Sequence, residues 1–407
     1  MEGADLVANR HILVLNSGSS SIKFATFSAE LETRRTWSGA LERIGLPRGR
    51  FHAKNGEGTP AFDEEHDLPD HAAALDLLLE AMERRGSGGE ATAAIGHRVA
   101  HGGPDCDCPE RVTVSVLKRL EALIPLAPRH QPHNLAGIVA LRARLPDVPQ
   151  VACFDTAFHH ALPRMACMTG LPREFEKRGI RRYGYHGLSY EYIVERLRSD
   201  DGAEFDRQRI IIAHLGNGAS MAAIREGRSV ETTMGFSPLS GLLMGTRPGD
   251  LDPGIVLYLT QELDMSGEAV ETLLYEQSGL LGVSGLSRNM ADLLVRKEAP
   301  EAAEAIEYFC YRARAHLAAL TAALGGLDRL VFTGGIGANA PEIRERICAG
   351  LGYLGIEIET DLNSGGERRI SSPAGAVVVE ALPTDEEEII AHHTRRLALQ
   401  ESAFDTE

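Results

Sequence analysis

No run in this chain is apolar for the roughly 18 residues that a membrane helix needs. None of its glycine-rich turns reads G-x-x-x-x-G-K-[ST], so a Walker loop is excluded. There is no H-E-x-x-H, and Cys106 and Cys108 have no matching second pair, so a zinc site is not expected. The six cysteines (Cys106, Cys108, Cys153, Cys167, Cys310 and Cys348) are scattered over 407 residues, unlike the dense framework of a small secreted domain, and reduced thiols are expected. The opening MEGADLVANR has no basic segment leading into an apolar one, so no secretory signal is expected and the expected location is cytoplasmic. Positive charge is in deficit: 42 Lys and Arg against 58 Asp and Glu leave a net charge of −16. Nucleic acid and anionic membranes both call for a basic surface, so neither is expected as a partner. An anionic substrate would need local cations strong enough to overcome that field.

What is present is a soluble globular composition, 43% hydrophobic and 25% charged, on a chain too long for one ordinary core. Two domains are expected, with a break near residue 150, where LPDVPQ interrupts the pattern. The segment HILVLNSGSSSIKFATF reads as strand, turn and returning strand. Asn16, Ser17, Gly18, Ser19, Ser20 and Ser21 are a dense row of short polar groups, and Lys23 adds a positive charge just beyond them. This is the composition of an anion cradle, with phosphate the foremost candidate, although Ser and Gly are also ordinary turn residues. RIIIAHLGNGASMAAIREGRSV repeats the plan. Setting Gly18 against Gly218 aligns Leu15 with Leu215 and Ser20 with Ser220, which points to two similarly built halves. RLVFTGGIGANAPEIRERI reads as a strand, a Gly-rich turn and a helix with Pro341 in its first turn. Residues 45–70 read as an irregular loop or an exposed hairpin. HAAALDLLLEAMERRG reads as a helix stopped by Gly86. EAAEAIEYFCYRARAHLAALTAALGG reads as a long helix ended by Gly325, whose Ile306, Phe309, Ala313, Leu317 and Leu320 form a stripe facing a core or another subunit. The alternation of elements indicates an α/β architecture.

Five further stretches bear chemistry. In GHRVAHGG, Arg98 ends a strand, with His97 and His101 beside it; its guanidinium suits either an anion clamp or a structural ion pair. In ACFDTAFHHALP, Asp155 is a helix cap or a working carboxylate. His186 lies between Gly184 and Gly187 in a turn, a setting more open than that of a core histidine. Arg247 lies in the turn-rich GLLMGTRPGDLDPG. In PTDEEEII, Thr384 or Asp385 caps a helix opened by Glu386, Glu387 and Glu388; those acids either favour the helix start or reach a magnesium ion through water.

With these residues in place, the sequence resembles the acetokinase family (acetate, propionate and butyrate kinases) nearly end to end. HLGNGAS, MGFSPLSGLLMGTRPGDLDP, GYHG and FTGGIGAN occur together and in the family's order. The resemblance implies two duplicated actin- or ribonuclease-H-like α/β domains, mixed sheets flanked by helices, with an active site in the cleft between them. The implied domains are 1–152, completed by a C-terminal helix 389–407, and 153–388. It implies reversible phosphoryl transfer between ATP and acetate, giving acetyl phosphate and ADP, with Mg2+ or Mn2+, in a cytoplasmic homodimer. By motif position, Arg98, Arg247, His186, Asp155 and His130 fall on catalytic positions. Asn16, Ser19, Ser21 and Lys23 fall on the phosphate and metal loop. His214, Gly216, Asn217, Gly218 and Ser220 fall on a second phosphate loop. Asn289, Gly335, Ile336, Gly337 and Asn339 fall on the nucleotide region, and Asn16 and Glu386 fall on the metal positions. Arg98, Ala100, Arg129, Tyr185 and Pro238 fall around the carboxylate substrate.

The chain departs from the family's pattern at several of these places. Arg129 stands where Leu is usual, Tyr185 where Phe is, and Ala100 where Val often lines the acyl pocket. Ser240 and Ala338 replace frequent glutamates, and Asn289, Met290 and Ala291 differ around the nucleotide. These changes bear on acyl and nucleotide preference, which keeps propionate or butyrate kinase as an alternative. A nucleotide-binding regulator without transfer chemistry would be expected to lack some of Arg98, Arg247, His186 and Asp155; all four remain. A carboxylate acceptor is already ionised at neutral pH, so Asp155 is expected to orient first and act as a base second.

Overall fold

The structure is a computed structural model that describes residues 10–30, 33–85 and 91–400. The chain divides into two compact units, Met1–Phe158 with Asp385–Glu407, and His159–Thr384.

In the first unit the apolar run at residue 12 becomes β1 (His11–Ser17), with Ile12, Leu13, Val14 and Leu15 all buried. A strand buried along its whole length needs cover on both faces, which places it in the middle of a sheet. β2 (Ser21–Ser28) returns beside it, followed by β3 (Arg35–Glu42), β4 (Gly49–Asn55) and β5 (Pro60–His66). On the other side come β6 (Thr92–Val99), the short β7 (Glu110–Arg111) and β8 (Gln150–Phe154). The order is β5-β4-β3-β2-β1-β6-β8-β7. Residues 45–70 therefore contain the β4–β5 hairpin at a sheet edge, with β5 largely exposed. The helix His71–Arg84 starts on Asp70, whose carboxylate accepts the Ala73 N–H at 2.8 Å; Gly86, expected to stop it, lies outside the described residues. The helix Glu386–Arg395 lies against β1 and β6. A Cβ at Gly96 on β6 would come 2.6 Å from Ile390 Cγ2 and clash with Thr394, so glycine there admits the helix.

The second unit holds β9 (Arg209–Leu215), β10 (Ala219–Arg225), β11 (Arg228–Thr232), β12 (Arg329–Thr333) and β13 (Val378–Ala381), in the order β11-β10-β9-β12-β13. In both units a central strand pairs antiparallel with the next strand of its hairpin and parallel with a later one, which is followed by another parallel strand. The repeat read from the two hairpins is thus a repeat of topology. The turns themselves differ. Ser17 pairs with Ile22 around four residues, whereas Leu215 pairs with Ala219 around three. Gly18 opens its loop and Gly218 closes its own, so the residue-for-residue alignment does not hold.

The long helix is Pro300–Leu324, opened by Pro300 and ended by Gly325 at φ 70°. Ile306, Phe309, Ala313, Leu317 and Leu320 are buried in the core of this unit, which decides that alternative. The Gly-rich stretch after β12 is not a turn. It is the short helix Gly334–Asn339, followed by the helix Pro341–Cys348 with Pro341 in its first turn. Gly334, at φ 76°, makes the change of direction, and a Cβ there would lie 2.7 Å from the Leu215 carbonyl oxygen. No helix among the described residues is long and apolar enough to cross a membrane.

Candidate active site

The first unit gathers its polar groups at the ends of β1, β6 and β8. Asn16 stands opposite Lys23 in the β1–β2 ladder, and Ser21 lies two residues before Lys23, so all three share one face. Ser19 and Lys23 are exposed and Asn16 and Ser21 partly so. The loop closes with Gly18 N–H donating to Ser21 O at 2.8 Å. It is anchored by Asn134, which sequence reasoning missed. The Asn134 amide donates to Ser17 O at 2.7 Å, and its carbonyl accepts Ala100 N–H at 2.9 Å, tying β1 to β6. Asn134 lies on the helix Gln131–Arg144, whose cap position is the exposed His130; Arg129 beside it is half-buried.

Arg98 forks onto Asp155, with Nε to Oδ1 at 2.9 Å and Nη2 to Oδ2 at 2.6 Å, and Glu386 lies 3.5 Å from Nε. Of the two readings left open for Arg98, the ion pair is present, and Asp155, 3% exposed, is its partner. Burial disfavours the guanidinium charge, but the carboxylates of Asp155 and Glu386 outweigh it and raise the Arg98 pKa. Asp385 is the cap of the last helix, accepting Glu388 N–H at 3.0 Å. Arg35, also missed, holds Glu387 at 2.5 Å and Asp385 at 2.5 and 2.6 Å, on either side of Glu386. Burial pushes the Glu387 pKa up, and Arg35 opposes that rise. His97 and His101 are buried; His97 donates to Gln150 Oε1 at 2.8 Å, and His101 Nδ1 accepts Gly103 N–H at 2.8 Å.

Among the described residues no group of three or more His, Cys, Asp or Glu is arranged to hold a metal ion. The two residues that the resemblance puts at a metal, Glu386 and Asn16, offer a carboxylate and an amide oxygen. Such a set fits magnesium, which keeps much of its water and takes nucleotide phosphates as ligands, better than it fits zinc or calcium.

In the second unit His186 caps the helix Gly187–Asp201 in a left-handed conformation, φ 60°, rare outside glycine. Its Nδ1 lies 2.8 Å from Ser220 Oγ. Its ring stacks on His214, with centroids 4.3 Å apart, and His214 Nδ1 lies 2.7 Å from Ser189 Oγ. A Cβ at Gly218 would lie 2.8 Å from Arg247 Nη2 and 3.0 Å from His186 Nε2. Glycine therefore lets the guanidinium and the imidazole close on the same loop backbone. Arg247 is steadied by donating to Pro238 O at 2.7 Å, and Tyr185 by donating to Phe236 O at 2.9 Å. Gly216 N–H donates to Gly218 O at 3.0 Å, and Asn217 O accepts Gly245 N–H at 2.9 Å. Gly335 lies close to Gly216, and Asn339 Nδ2 donates to Gly335 O at 3.0 Å. Ile336 packs on the core and Gly337 is buried. The exposed Asn289 follows Arg288, whose carbonyl approaches Gly245. A third missed residue, the buried Arg344, donates to the carbonyls of Gly337 and Ala338, both at 2.9 Å, and fixes the end of the short helix. His159 is buried between Ser229 Oγ and Tyr185 O; His160 is exposed.

Residues 11–392 match the model of the acetokinase family. The chain is 48% identical over 395 residues to an acetate kinase of Rhodopseudomonas palustris, covering 95% of this chain and 98% of that one. Its fold is similar to the crystal structure of Porphyromonas gingivalis acetate kinase, with a TM-score of 0.86 and 37% identity over 95% of this chain and 98% of that one. It is also similar to a propionate kinase from Francisella tularensis, with a TM-score of 0.90 and 36% identity over 95% of this chain and all of that one. The strand order β3-β2-β1-β6-β8 of the eight-stranded sheet matches the five-stranded β11-β10-β9-β12-β13, in agreement with these likenesses, and the chain belongs to the acetokinase family.

Proposed function

We propose that this protein is an acetate kinase, moving a phosphoryl group reversibly between ATP and acetate by direct in-line transfer. The observation that carries this reading is the convergence of Arg247 and His186 on Gly218. Phosphoryl transfer spreads negative charge over three equatorial oxygens, and catalysis lies mostly in positioning and in placed positive groups. Arg247 and His186 Nε2 present two donors at one point. In the other unit Arg98 is held by Asp155 through Nε and Nη2, which leaves Nη1 for a substrate oxygen. Acetate arrives ionised and needs no base, so a carboxylate occupied by an arginine orients that arginine. Asn16, Ser19, Ser21 and Lys23 bind phosphate, as does the 216–218 loop; Gly335–Gly337, Asn289 and Asn339 border the nucleotide, and His130 adds a donor at the substrate. Bound magnesium would offset charge on the transferring group, with Asn16 and Glu386 as its protein side. The local cations answer the net charge of −16.

By motif position Ala100 and Arg129 fall around the acyl group. Ala100 in place of a larger residue leaves room for propionate as a second substrate. A coupled assay with acetate, propionate and butyrate, with and without Mg2+, tests the reading; no turnover of any of them would overturn it. Ala100→Val should lower kcat/KM for propionate about tenfold more than for acetate, the worth of a methylene or two in an apolar pocket. An unchanged ratio would remove residue 100 from acyl selection.

The helix Pro253–Gln261 buries none of its residues, and Ile255, Leu257 and Tyr258 are exposed on it, with Leu263 just beyond. This apolar surface supports a homodimer, which sedimentation would reveal as twice the chain mass. All six cysteines are thiols, which supports a cytoplasmic location.

A further inference from the structure

Tyr190 lies on the helix Gly187–Asp201, one turn beyond His186, and its side chain has no exposed surface. Its hydroxyl is 2.5 Å from Ser220 Oγ, and that same oxygen is 2.8 Å from His186 Nδ1. Ser220 is itself fully buried and has one proton to give. We propose that Tyr190 is a positioning residue that sets the tautomer of His186: the Tyr190 hydroxyl donates to Ser220 Oγ, and the Ser220 hydroxyl donates to His186 Nδ1. The proton of the neutral imidazole then stays on Nε2, the atom that faces Gly218 beside Arg247. The inference rests on the functional reading given above, in which that point receives the transferring phosphoryl group. Through this relay a neutral histidine donates to a phosphoryl oxygen without first taking a proton.

The groups around the imidazole favour a neutral donor. Arg247, from the 241–254 segment, brings a full positive charge to the same glycine. His214, from β9, stacks on the ring at 24° and holds Ser189 through its own Nδ1. From the same helix comes the phenol of Tyr190, kept neutral because burial raises its pKa. Behind it His159 meets the Tyr190 ring edge-on at 5.4 Å, and burial pushes the His159 pKa down to about 4. An imidazolium at position 186 would add a second charge beside Arg247, against another imidazole. It follows that turnover should not depend on protonating His186.

The test combines 15N NMR of histidine-labelled protein with kcat and KM, for the unaltered enzyme, Tyr190→Phe and Ser220→Ala. At about pH 8 the unaltered enzyme should show His186 with its proton on Nε2. Tyr190→Phe keeps the ring in place but removes the donor, so the Ser220 hydroxyl accepts from Nδ1–H in part of the molecules. Mixed tautomer signals should appear, and kcat should fall about fivefold. KM values should change by less than about twofold, since uniform binding is untouched. Should Tyr190→Phe fail to fold, Ser220→Ala reads the same tautomer. Finding the proton on Nδ1 in the unaltered enzyme, tautomers unchanged in the variant, or an unchanged kcat would each overturn the relay. The NMR signal needs no substrate, so a chain that shows the tautomer shift but turns over no acetate would overturn the functional reading instead.

Discussion

Arg98 and Asp155 meet through two parallel hydrogen bonds, at 2.9 and 2.6 Å, although 57 residues separate them in sequence. The pair joins the end of β6 to the end of β8, with the carboxylate buried and the guanidinium partly open. Asp155→Asn keeps the shape but removes the charge that aligns Arg98. It should lower kcat by about 10²-fold, the typical effect of misplacing one charged donor. Asp155→Ala should also destabilise the fold by about 2 kcal/mol, because the partly buried guanidinium loses two charged hydrogen bonds. Arg98→Lys should rescue little, since an ammonium cannot fork. Turnover together with denaturant unfolding checks all three.

Gly218→Ala should separate stability from activity. The new methyl would meet Arg247 Nη2 and His186 Nε2, the far ends of side chains. Those ends move aside at little cost in stability, yet a displacement of about 1 Å in reacting groups lowers rates about a hundredfold. A near-native melting temperature with kcat strongly reduced is the expected result; an active Gly218→Ala enzyme would mean that the loop backbone is not where the two groups act.

Arg35 grips Asp385 and Glu387, and Glu386 stands between them. Arg35→Gln should therefore loosen Glu386 without touching it. Outer groups that orient a metal ligand are typically worth at least tenfold in metal affinity. The apparent KM for Mg2+ should rise about tenfold with kcat much less affected, and Mn2+ binding followed by EPR should weaken in parallel.

Acid should unfold the protein through its histidines. His11, His97, His101 and His159 have pKa values pushed down to about 4 by burial, from an ordinary 6.5. Between those values the unfolded chain binds protons that the folded chain refuses. The stability these groups contribute is therefore complete above pH 6.5 and is lost as pH falls towards 4. Each group is worth about 3 kcal/mol across that window. Unfolding free energies measured from neutral to acid pH should fall steeply, and His97→Gln should flatten the slope by about one proton. A flat profile would mean that these imidazoles charge without unfolding the protein.

Local patterns carried the hairpins, the long helix with its capping glycine, and the motifs around Arg98, His186 and Arg247, because each is written in consecutive residues. The Arg35 clamp was not legible. Its partners stand 350 and 352 residues away, and an ion pair between distant segments leaves no periodicity. Tyr190 looked like any helix-face aromatic, since its contact is with Ser220 on β10, 30 residues away. The stretch after β12 misled for a different reason: glycine is a poor helix former, but a Cβ at Gly337 would lie 3.3 Å from Ala213 O and 3.4 Å from Phe332 C, so the close approach of the sheet backbone favours glycine there and tertiary contact overrides propensity. Asn134 was hidden by the ordinary look of a polar residue near a helix start.

The first unit draws on both ends of the chain, and this gives its assembly a timetable. A ribosome delivers β1, β6 and β8 early, then all of the second unit, and only afterwards the segment that begins at Asp385. Until then the groove left by Gly96 has no helix in it, and Arg98 has Asp155 but no Glu386. The nascent chain thus spends the synthesis of more than two hundred residues with apolar sheet surface uncovered, the interval in which a chaperone would be most useful.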